Sequence, residues 1–140
     1  MSLADKFRTY VRNRHLFSVK DHLLLAVSGG VDSVVLCELC RQAGFHFNIA
    51  HCNYQLRAEE SERDEKFVRQ LGEKYKVEVK VKKFDTKKYA EENKLSLQEA
   101  ARNLRYEWFE ELVVAKWSFE KETAAHALKF VLTAHHAGDN

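Results

Sequence analysis

The sequence predicts an α/β domain built on a doubly wound parallel sheet of strand order 3-2-1-4, with helices on both faces. Short apolar segments alternate with segments of helical period along the chain. Because parallel strands need a crossover connection, this alternation favours a parallel sheet. A glycine pair directly follows the first apolar segment, at the position where doubly wound sheets bind ligands. We expect a fifth strand beyond the end of the chain.

The first half of the chain supplies two helices and two strands. Apolar residues at helical spacing predict a helix over 3–14, and His22–Ser28 has the pattern of a compact apolar strand that the glycine pair ends. A second helix is predicted over Val31–Ala43, followed by a buried strand over Phe45–His51. The residues expected on one face of this second helix are Val31, Val34, Val35 and Leu39.

The middle of the chain predicts a helix, a strand and a further short helix. Ser61 with Asp64 resembles a capping box that begins a helix running to about Lys76. Alternating valines over 77–81 predict a half-buried third strand. Asp85 is expected to cap the short helix that follows.

The last third of the chain predicts a long amphipathic helix and a fourth strand. Ser96 and Glu99 form a full capping box. The apolar stripe expected behind this box comprises Leu97, Ala101, Leu104, Trp108 and Leu112. We expect Tyr106 to pack rather than to stack on bases. A helix is predicted over 119–127 and the fourth strand over 129–134.

Composition excludes several classes of protein. The 140 residues are 45% hydrophobic, enough for one core without disulfides, and no apolar run approaches the ~20 residues of a membrane span. The first residues lack the apolar segment of a secretory signal, and three cysteines do not suggest a disulfide framework. We therefore expect a cytoplasmic protein without a membrane partner. The net charge of +2 gives no sign of nucleic-acid binding by itself.

A lysine-rich stretch and the end of the chain each predict something further. Seven lysines occur from Lys74 to Lys88, and we interpret them as guarding a solvated edge strand, with a contact patch as the alternative. The predicted fourth strand runs directly into the loop 135–140. Since a domain rarely stops on such a loop, we expect the chain to be the amino-terminal piece of a longer protein.

The loop after the first strand, Ser28–Ser33, carries the clearest chemical signal. Its two glycines let the backbone turn sharply and approach a ligand, and the amino end of the next helix attracts an anion. The serine hydroxyls add donors, and Asp32 could hold a Mg²⁺ ion that binds phosphate. The alternative is a tight strand-to-helix turn with Asp32 as a first-turn acid, which explains the adjacent glycines less well.

Other phosphate-binding loops fit this segment less well. Neither Gly-x-x-x-x-Gly-Lys nor Gly-x-Gly-x-x-Gly occurs. Because the loop lacks a lysine that would reach the outer phosphates, the pattern points away from γ-phosphoryl transfer. It favours binding of the β and γ phosphates as a departing pyrophosphate.

The loop resembles the SGGxDS loop of the PP-loop ATP pyrophosphatases, whose members activate a substrate by adenylation. Three further segments resemble one branch of that superfamily, the tRNA(Ile)-lysidine synthetases: residues 51–57, 96–106 and 132–139. The chain departs from this branch in two places. Tyr54 stands where the branch usually has histidine, and Gly138 stands where it often has the first of two acids.

The resemblance implies an adenine nucleotide alpha hydrolase-like fold, with ATP and Mg²⁺ as cofactors. It implies ATP-dependent ligation of free L-lysine to the wobble cytidine of tRNA(Ile) with a CAU anticodon. The whole chain would then be the amino-terminal catalytic domain, without the carboxy-terminal domains that recognise tRNA.

The resemblance also implies roles for individual residues. The implied ATP-binding residues are Ser28, Gly29, Gly30, Val31, Asp32, Ser33, His51 and Asn53. The residues implied to contact tRNA or substrate are Arg57, Gln98 and Arg105. The residues implied in catalysis are Asp32, Asp139 and Arg102, with the two aspartates as candidate Mg²⁺ ligands.

The residues alone leave the role of the second aspartate open. Asp32 and Asp139 follow the carboxyl ends of strands that are neighbours in the order 3-2-1-4, so both should face one crevice. Two acids there could hold Mg²⁺, or one could accept a proton from an attacking amine. An ordinary turn acid is the alternative for Asp139.

The predicted long helix leaves a similar choice. Gln98, Arg102 and Arg105 fall on one face, and two guanidinium groups along a face suit phosphates. The alternative is a solvated face that pairs with Glu99 or Glu107.

The cysteines bear on two other functions that remain open. Cys37 and Cys40 form a CxxC on a predicted helix, where we expect buried thiols rather than a zinc or redox site. A PP-loop tRNA thiolase would need catalytic cysteines near the crevice. A non-catalytic ATP-binding module would need none.

Overall fold

The computed structural model describes residues 2–13, 22–114 and 128–133. Its helices are α1 (Leu3–Asn13), α2 (Val31–Gln42), α3 (Glu59–Tyr75), α4 (Thr86–Asn93) and α5 (Leu97–Val114). Its strands are β1 (His22–Ala26), β2 (His46–Asn53), β3 (Val79–Lys83) and β4 (Leu128–Thr133). The predicted helix over 119–127 falls outside the described residues.

The four strands form one parallel sheet in the order β3-β2-β1-β4, which confirms the predicted topology. The central strand β1 pairs with β2 on one side and β4 on the other, so that Ala26 lies opposite Ala50 and Thr133. The lysine-rich strand β3 lies at the edge of the sheet, as its sequence predicts. All carboxyl ends of the strands therefore lie along one side.

Alternating residues of β1 supply two hydrophobic clusters, one on each face of the sheet. Leu23 and Leu25 pack with residues of α2, β2 and α3. Leu24 packs on the opposite face with Phe84 and with residues of α5, including Trp108. Helices therefore cover both faces, as a doubly wound sheet requires. No helix in the described ranges is both long and apolar enough to span a membrane.

The face that α2 buries differs from the predicted one. Val31 is 79% exposed and Val35 is also exposed, whereas Ser33, Cys37 and Cys40 are buried. Val34, from the same predicted face, is partly buried and packs against the core cluster, so the prediction is wrong for Val31 and Val35 but not for Val34. Cys37 and Cys40 pack in the core cluster together with Val34 and Leu36, so the buried face of α2 is rotated from the predicted one.

The start of α3 also differs from the prediction. The helix begins at Glu59, and its N-cap position is Ala58, which makes no side-chain cap. Ser61 therefore lies inside the first turn, where its hydroxyl accepts a hydrogen bond of 3.2 Å from the backbone N–H of Arg57. The expected capping box at Ser61 and Asp64 is wrong, because the preceding loop turns through left-handed residues and starts the helix earlier.

The two helices that follow begin as predicted. The Asp85 carboxylate accepts from the backbone N–H of Lys88 at the start of α4. Ser96 and Glu99 exchange side-chain to backbone hydrogen bonds of 3.1 Å at the start of α5, which confirms the capping box. The buried stripe of α5 is shifted, because Leu97 is exposed and Ala100 is buried. Tyr106 is exposed as well, and its ring packs under the guanidinium groups of Arg102 and Arg105 rather than in the core.

Candidate active site

The loop between β1 and α2 turns the chain at the carboxyl edge of the sheet. The pairing of β1 with β2 continues one residue past the strand, since the backbone N–H of Val27 donates to the carbonyl of Ala50 at 3.0 Å. Gly29 then adopts φ +101°, a left-handed conformation that glycine reaches at low cost. Gly30 takes the N-cap position of α2 with extended backbone. The adjacent glycines thus serve different purposes: the first makes the turn, and the second begins the helix.

Two serine hydroxyls close this loop from inside. The Ser33 hydroxyl accepts from the backbone N–H of Ser28 at 3.0 Å, and the two hydroxyl oxygens lie 3.1 Å apart. The Ser28 hydroxyl also accepts from the backbone N–H of Gly30 at 3.4 Å. Ser33 is 2% exposed, whereas Ser28 is exposed. Ser33 therefore shapes the loop, and Ser28 is the hydroxyl that a ligand can reach.

Helix α3 lies close against the same loop. A Cβ placed on Gly29 would lie 3.3 Å from the Cβ of Asp64 and 3.5 Å from a carboxylate oxygen of that residue. Asp32 is exposed in the first turn of α2. Two carboxylates from different helices thus flank the glycine turn. The sequence pattern predicts Asp64 as part of a helix cap, and its contact with the loop joins residues that are distant in the chain.

Strand β2 runs two residues further than predicted, so Asn53 lies within it as His51 does, and both residues are buried. The His51 Nδ1 atom lies 2.7 Å from the carbonyl oxygen of Val27, which ties β2 to the start of the loop. The Asn53 amide donates to Glu62 at 2.8 Å and to Glu65 at 2.9 Å, and its carbonyl accepts from the backbone N–H of Gln55. The amide of Asn53 is therefore fully engaged in holding α3 to β2.

These contacts lower the pKa of the Glu65 carboxylate. Burial raises its pKa, but the hydrogen bonds from Asn53 and Arg69, together with the positive charges of Lys83 and Arg69, outweigh burial and leave the pKa below its ordinary value. The carboxylate stays charged, which strengthens its bond to the amide.

Three clefts open around the loop. One, of about 620 Å³, lies between the loop and α3 and is lined by Gly29, Arg57, Glu60, Arg63, Asp64, Lys66, Phe67 and Gln70. The other two are lined by residues of β2. The larger of these two has a volume of about 290 Å³ and is lined by Ser28, His51, Cys52, Asn53, Tyr54, Leu56, Arg57, Ser61 and Asp64. The smaller, of about 70 Å³, is lined by Ala26, Val27, Ser28, Ala50, Cys52, Tyr54, Arg105 and Phe109. The loop residue Ser28 and the β2 residues Cys52 and Tyr54 belong to both. The structure therefore brings four of the predicted site residues, Ser28, His51, Asn53 and Arg57, to one cleft.

The three residues predicted on one polar face of α5 differ in their position relative to these clefts. Arg105 lines the smaller cleft, whereas Gln98 and Arg102 are exposed and line none of the three clefts. Both guanidinium groups lie over the ring of Tyr106, that of Arg102 at 5.4 Å and that of Arg105 at 5.1 Å from its centroid. Of the three residues, Arg105 is the one that the fold brings to the loop.

Asp139, Gly138 and the neighbouring histidines lie outside the described residues. The parallel pairing of β1 with β4 confirms that these two strands are neighbours, so their carboxyl ends lie side by side. Within residues 2–13, 22–114 and 128–133, no group of three or more His, Cys, Asp or Glu residues could hold a metal ion. Mg²⁺ commonly uses one or two carboxylates together with substrate phosphates, and the exposed Asp32 beside the loop fits that pattern.

The thiols near the site are held in the neutral form. Burial raises the pKa of the Cys52 thiol to about 11, and burial also raises the pKa of the Tyr54 hydroxyl above its ordinary value. Burial likewise raises the pKa of Cys37 and of Cys40 to about 12. Because the thiolate is the nucleophilic form, none of these cysteines is activated for sulfur chemistry. The prediction of buried thiols at Cys37 and Cys40 is confirmed.

Cys52 and Tyr54 line both of the clefts beside β2, and neither was among the predicted site residues. The alternation of side chains along β2 indicates which residues face this side of the sheet. Asn48, Ala50 and Cys52 alternate along the strand, so Cys52 faces the same side of the sheet as α5.

Known proteins of one name are similar to this chain over nearly its whole length. Curated proteins called tRNA(Ile)-lysidine synthase are similar to this chain: that of Bacteroides thetaiotaomicron is 44% identical over 94% of the chain, and that of Porphyromonas gingivalis strain W83 is 43% identical over all of it. The chain spans 28% and 29% of the length of these two relatives.

A solved structure shows the same fold. The NH3-dependent NAD synthetase of Campylobacter jejuni superposes with a TM-score of 0.62 at 16% sequence identity, over 81% of this chain and 51% of the other. A protein-family model described as the PP-loop domain matches residues 2–140. The chain therefore belongs to the PP-loop domain family.

Proposed function

We propose that this chain is the amino-terminal catalytic part of a longer enzyme, a tRNA(Ile)-lysidine synthase. The observation that carries the proposal is the identity of 43–44% to proteins of that name over 94% or more of this chain. The site described above lies within the matched range. The substrates are ATP, free L-lysine and tRNA(Ile) with a CAU anticodon.

The loop Ser28–Ser33 binds the phosphates of ATP in this proposal. Its support is the left-handed turn at Gly29, the exposed hydroxyl of Ser28 and the amino end of α2 directly after it. Val31, also exposed here, contributes backbone to the site. His51 and Asn53 stay as predicted nucleotide-site residues, and their hydrogen bonds favour a role in fixing the shape of the cleft.

The proposed reaction has two steps. The C2 oxygen of the wobble cytidine attacks the α-phosphorus of ATP, the bond to the β-phosphate oxygen breaks, and pyrophosphate leaves in the loop. The side-chain amine of lysine then attacks C2, the bond from C2 to the adenylated oxygen breaks, and AMP leaves. The amine loses a proton to a base in this step. Adenylation is needed because the cytidine carbonyl oxygen is otherwise a poor leaving group.

The acids and cations take roles that we carry over from the sequence. Asp32 and Asp139 hold Mg²⁺ or handle the proton, and Arg102 neutralises phosphate charge. Mg²⁺, when bound, supplies positive charge beside the phosphates. Arg57, Gln98 and Arg105 contact the tRNA or the other substrates. Among these residues, Arg57 and Arg105 line the clefts at the loop.

The experiment is lysine transfer by the full-length parent protein. Labelled lysine, Mg-ATP and tRNA(Ile) transcript are incubated with the wild type, with Asp32→Asn and with Glu91→Gln, a matched acid-to-amide change on the exposed surface of α4. We expect label in tRNA that depends on ATP, is lost with Asp32→Asn and is retained with Glu91→Gln.

Two results would contradict the proposal. Sulfur transfer to tRNA without lysine incorporation would indicate a thiolase. Binding of ATP with no turnover in the presence of tRNA and lysine would indicate a non-catalytic module.

A further inference from the structure

Helix α3 presents a strip of polar and aromatic side chains beside the loop that follows β1. Arg63, Lys66, Phe67 and Gln70 recur at steps of three and four residues, so they lie on one face of the helix. All four are exposed and line the cleft of about 620 Å³ that Gly29 borders. These four residues form the α3 strip. It runs for about 10 Å along the helix, because each residue adds about 1.5 Å.

The charges that line this cleft leave two cations unpaired. Its three cations are Arg57, Arg63 and Lys66, and its two acids are Glu60 and Asp64. Glu60 pairs with Arg57 at 3.4 Å, and Asp64 lies against the turn at Gly29. Arg63 and Lys66 form no ion pair with any of the residues that the structure describes. Two positive charges therefore face an open cleft, where they would attract an anionic ligand.

The aromatic residue of the strip indicates which anion fits. Phe67 is 38% exposed, so part of its ring is open to a ligand while the rest is covered by the protein. Exposed rings among cations are typical of surfaces that bind single-stranded nucleic acid, because bases stack on the ring while the cations meet the phosphates. At about 3.4 Å per nucleotide, a strip of about 10 Å matches three nucleotides of a strand. The strip therefore fits an RNA strand better than a lone phosphate group.

The strip also lies where such a strand would have to pass. In the proposed function the reacting base must reach ATP at the loop Ser28–Ser33, so its neighbours in the strand lie against surfaces that adjoin this loop. Helix α3 adjoins it at Gly29. Arg57 and Asp64 line both the cleft at the α3 strip and the cleft of about 290 Å³ beside β2. A continuous path therefore leads from the proposed nucleotide site to the strip.

We propose that the α3 strip binds the RNA strand that flanks the reacting cytidine, with Arg63 and Lys66 on backbone phosphates and Phe67 against a base. The inference rests on the proposed function, which supplies the RNA. It adds a second surface to the substrate contacts that the resemblance implies at Arg57, Gln98 and Arg105.

The test measures binding of a tRNA(Ile) transcript by the full-length parent protein, without ATP or lysine, at several salt concentrations. The strip variant carries Arg63→Gln and Lys66→Gln. Its matched control carries Lys87→Gln and Lys88→Gln on the exposed surface of α4, so both variants lose two positive charges.

The strip variant should lose both affinity and salt dependence. Each phosphate contact contributes about 0.7–0.9 to the slope of log K against log salt, so we expect a slope shallower by about 1.4–1.8. The same contribution corresponds to a roughly 10- to 30-fold loss of affinity at about 0.15 M salt. The control should keep the slope and the affinity of the wild type, because its lysines lie outside the strip.

Phe67→Leu separates stacking from charge. Leucine keeps an apolar side chain against the protein but lacks the flat ring. We expect it to weaken binding roughly 3- to 10-fold, part of the loss that follows removal of a stacked base, without a change in the salt slope.

Three results would overturn the inference. A loss in the control as large as that in the strip variant would mean that the RNA responds to net charge or binds the lysine-rich stretch. Weaker binding of Mg-ATP with unchanged binding of tRNA would assign the two cations to the nucleotide. A change in urea unfolding with unchanged binding of tRNA would mean that another part of the protein covers the strip. Because the assay needs neither ATP nor lysine, absence of lysine transfer would contradict the proposed function alone, and the salt slopes would still test the strip.

Discussion

The glycine pair in the phosphate loop allows a sharp test of the local structure, because its two members differ in backbone conformation. At Gly29 an alanine would take φ +101°, which costs about 1–2 kcal/mol, and its methyl group would lie 3.3 Å from the Cβ of Asp64. At Gly30 the backbone is extended with φ −82°, and the nearest atom to a new Cβ is the Ser28 hydroxyl oxygen at 3.7 Å. An alanine fits there and restricts the unfolded chain, a gain of about 0.4–1 kcal/mol, but alanine is a poorer N-cap residue than glycine, which offsets that gain.

The two alanine variants should therefore differ in stability by about 2 kcal/mol. Gly29→Ala should lower the free energy of unfolding by about 1–3 kcal/mol, and Gly30→Ala should leave it nearly unchanged. Urea unfolding of the chain, followed by circular dichroism, measures both. Equal stability of the two variants, or a larger loss for Gly30→Ala, would refute the assignment of the turn to Gly29.

Three further predictions concern packing, hydrogen bonding and pH. Gly72→Ala should destabilise the chain by about 1–2 kcal/mol, since a Cβ there would lie 2.2 Å from Val79 Cγ2, and adding Val79→Ala should recover most of the loss; no recovery in urea unfolding would contradict this contact. Ser33→Ala should cost about 1–2 kcal/mol in the same assay because the backbone N–H of Ser28 loses its acceptor, and a loss near zero would show that water replaces it. Stability should also fall as pH rises above about 9, where unfolded thiols lose protons that the buried ones keep. Burial raises the pKa of Cys37 and of Cys40 to about 12, so changing both to alanine should reduce this fall in the urea midpoint.

The sequence predicts the topology because hydrophobic period and turn residues are local signals. Valine alternation marks β3, the capping box at Ser96 marks α5, and the apolar run after His22 marks β1. With these elements in alternation, the parallel order β3-β2-β1-β4 follows from connection rules. The buried face of α2 could not be predicted in the same way. It depends on the rotation at which the helix leaves the glycine turn, which puts Ser33 inside and Val31 outside.

Some features of the site follow from adjacent residues and could be predicted, whereas others depend on residues that are far apart in the chain. The loop Ser28–Ser33 is contiguous, so its shape follows from its own residues. The stacking of Tyr54 on Phe84 and the cleft that Tyr54 shares with Arg105 join residues that are 30 and 51 positions apart in the chain. No local period encodes them. They become visible only when β2 and α5 lie on the same face of the sheet.

The central claim is that the loop Ser28–Ser33 binds the β and γ phosphates of ATP as they leave together. The most direct test is product analysis of γ- and α-labelled ATP turned over by the full-length parent protein with tRNA(Ile) and lysine. We expect AMP and pyrophosphate in amounts equal to the lysine incorporated, with loss of both products in the Asp32→Asn variant. Formation of ADP and inorganic phosphate would contradict it, because the bond broken would then lie between the β and γ phosphates.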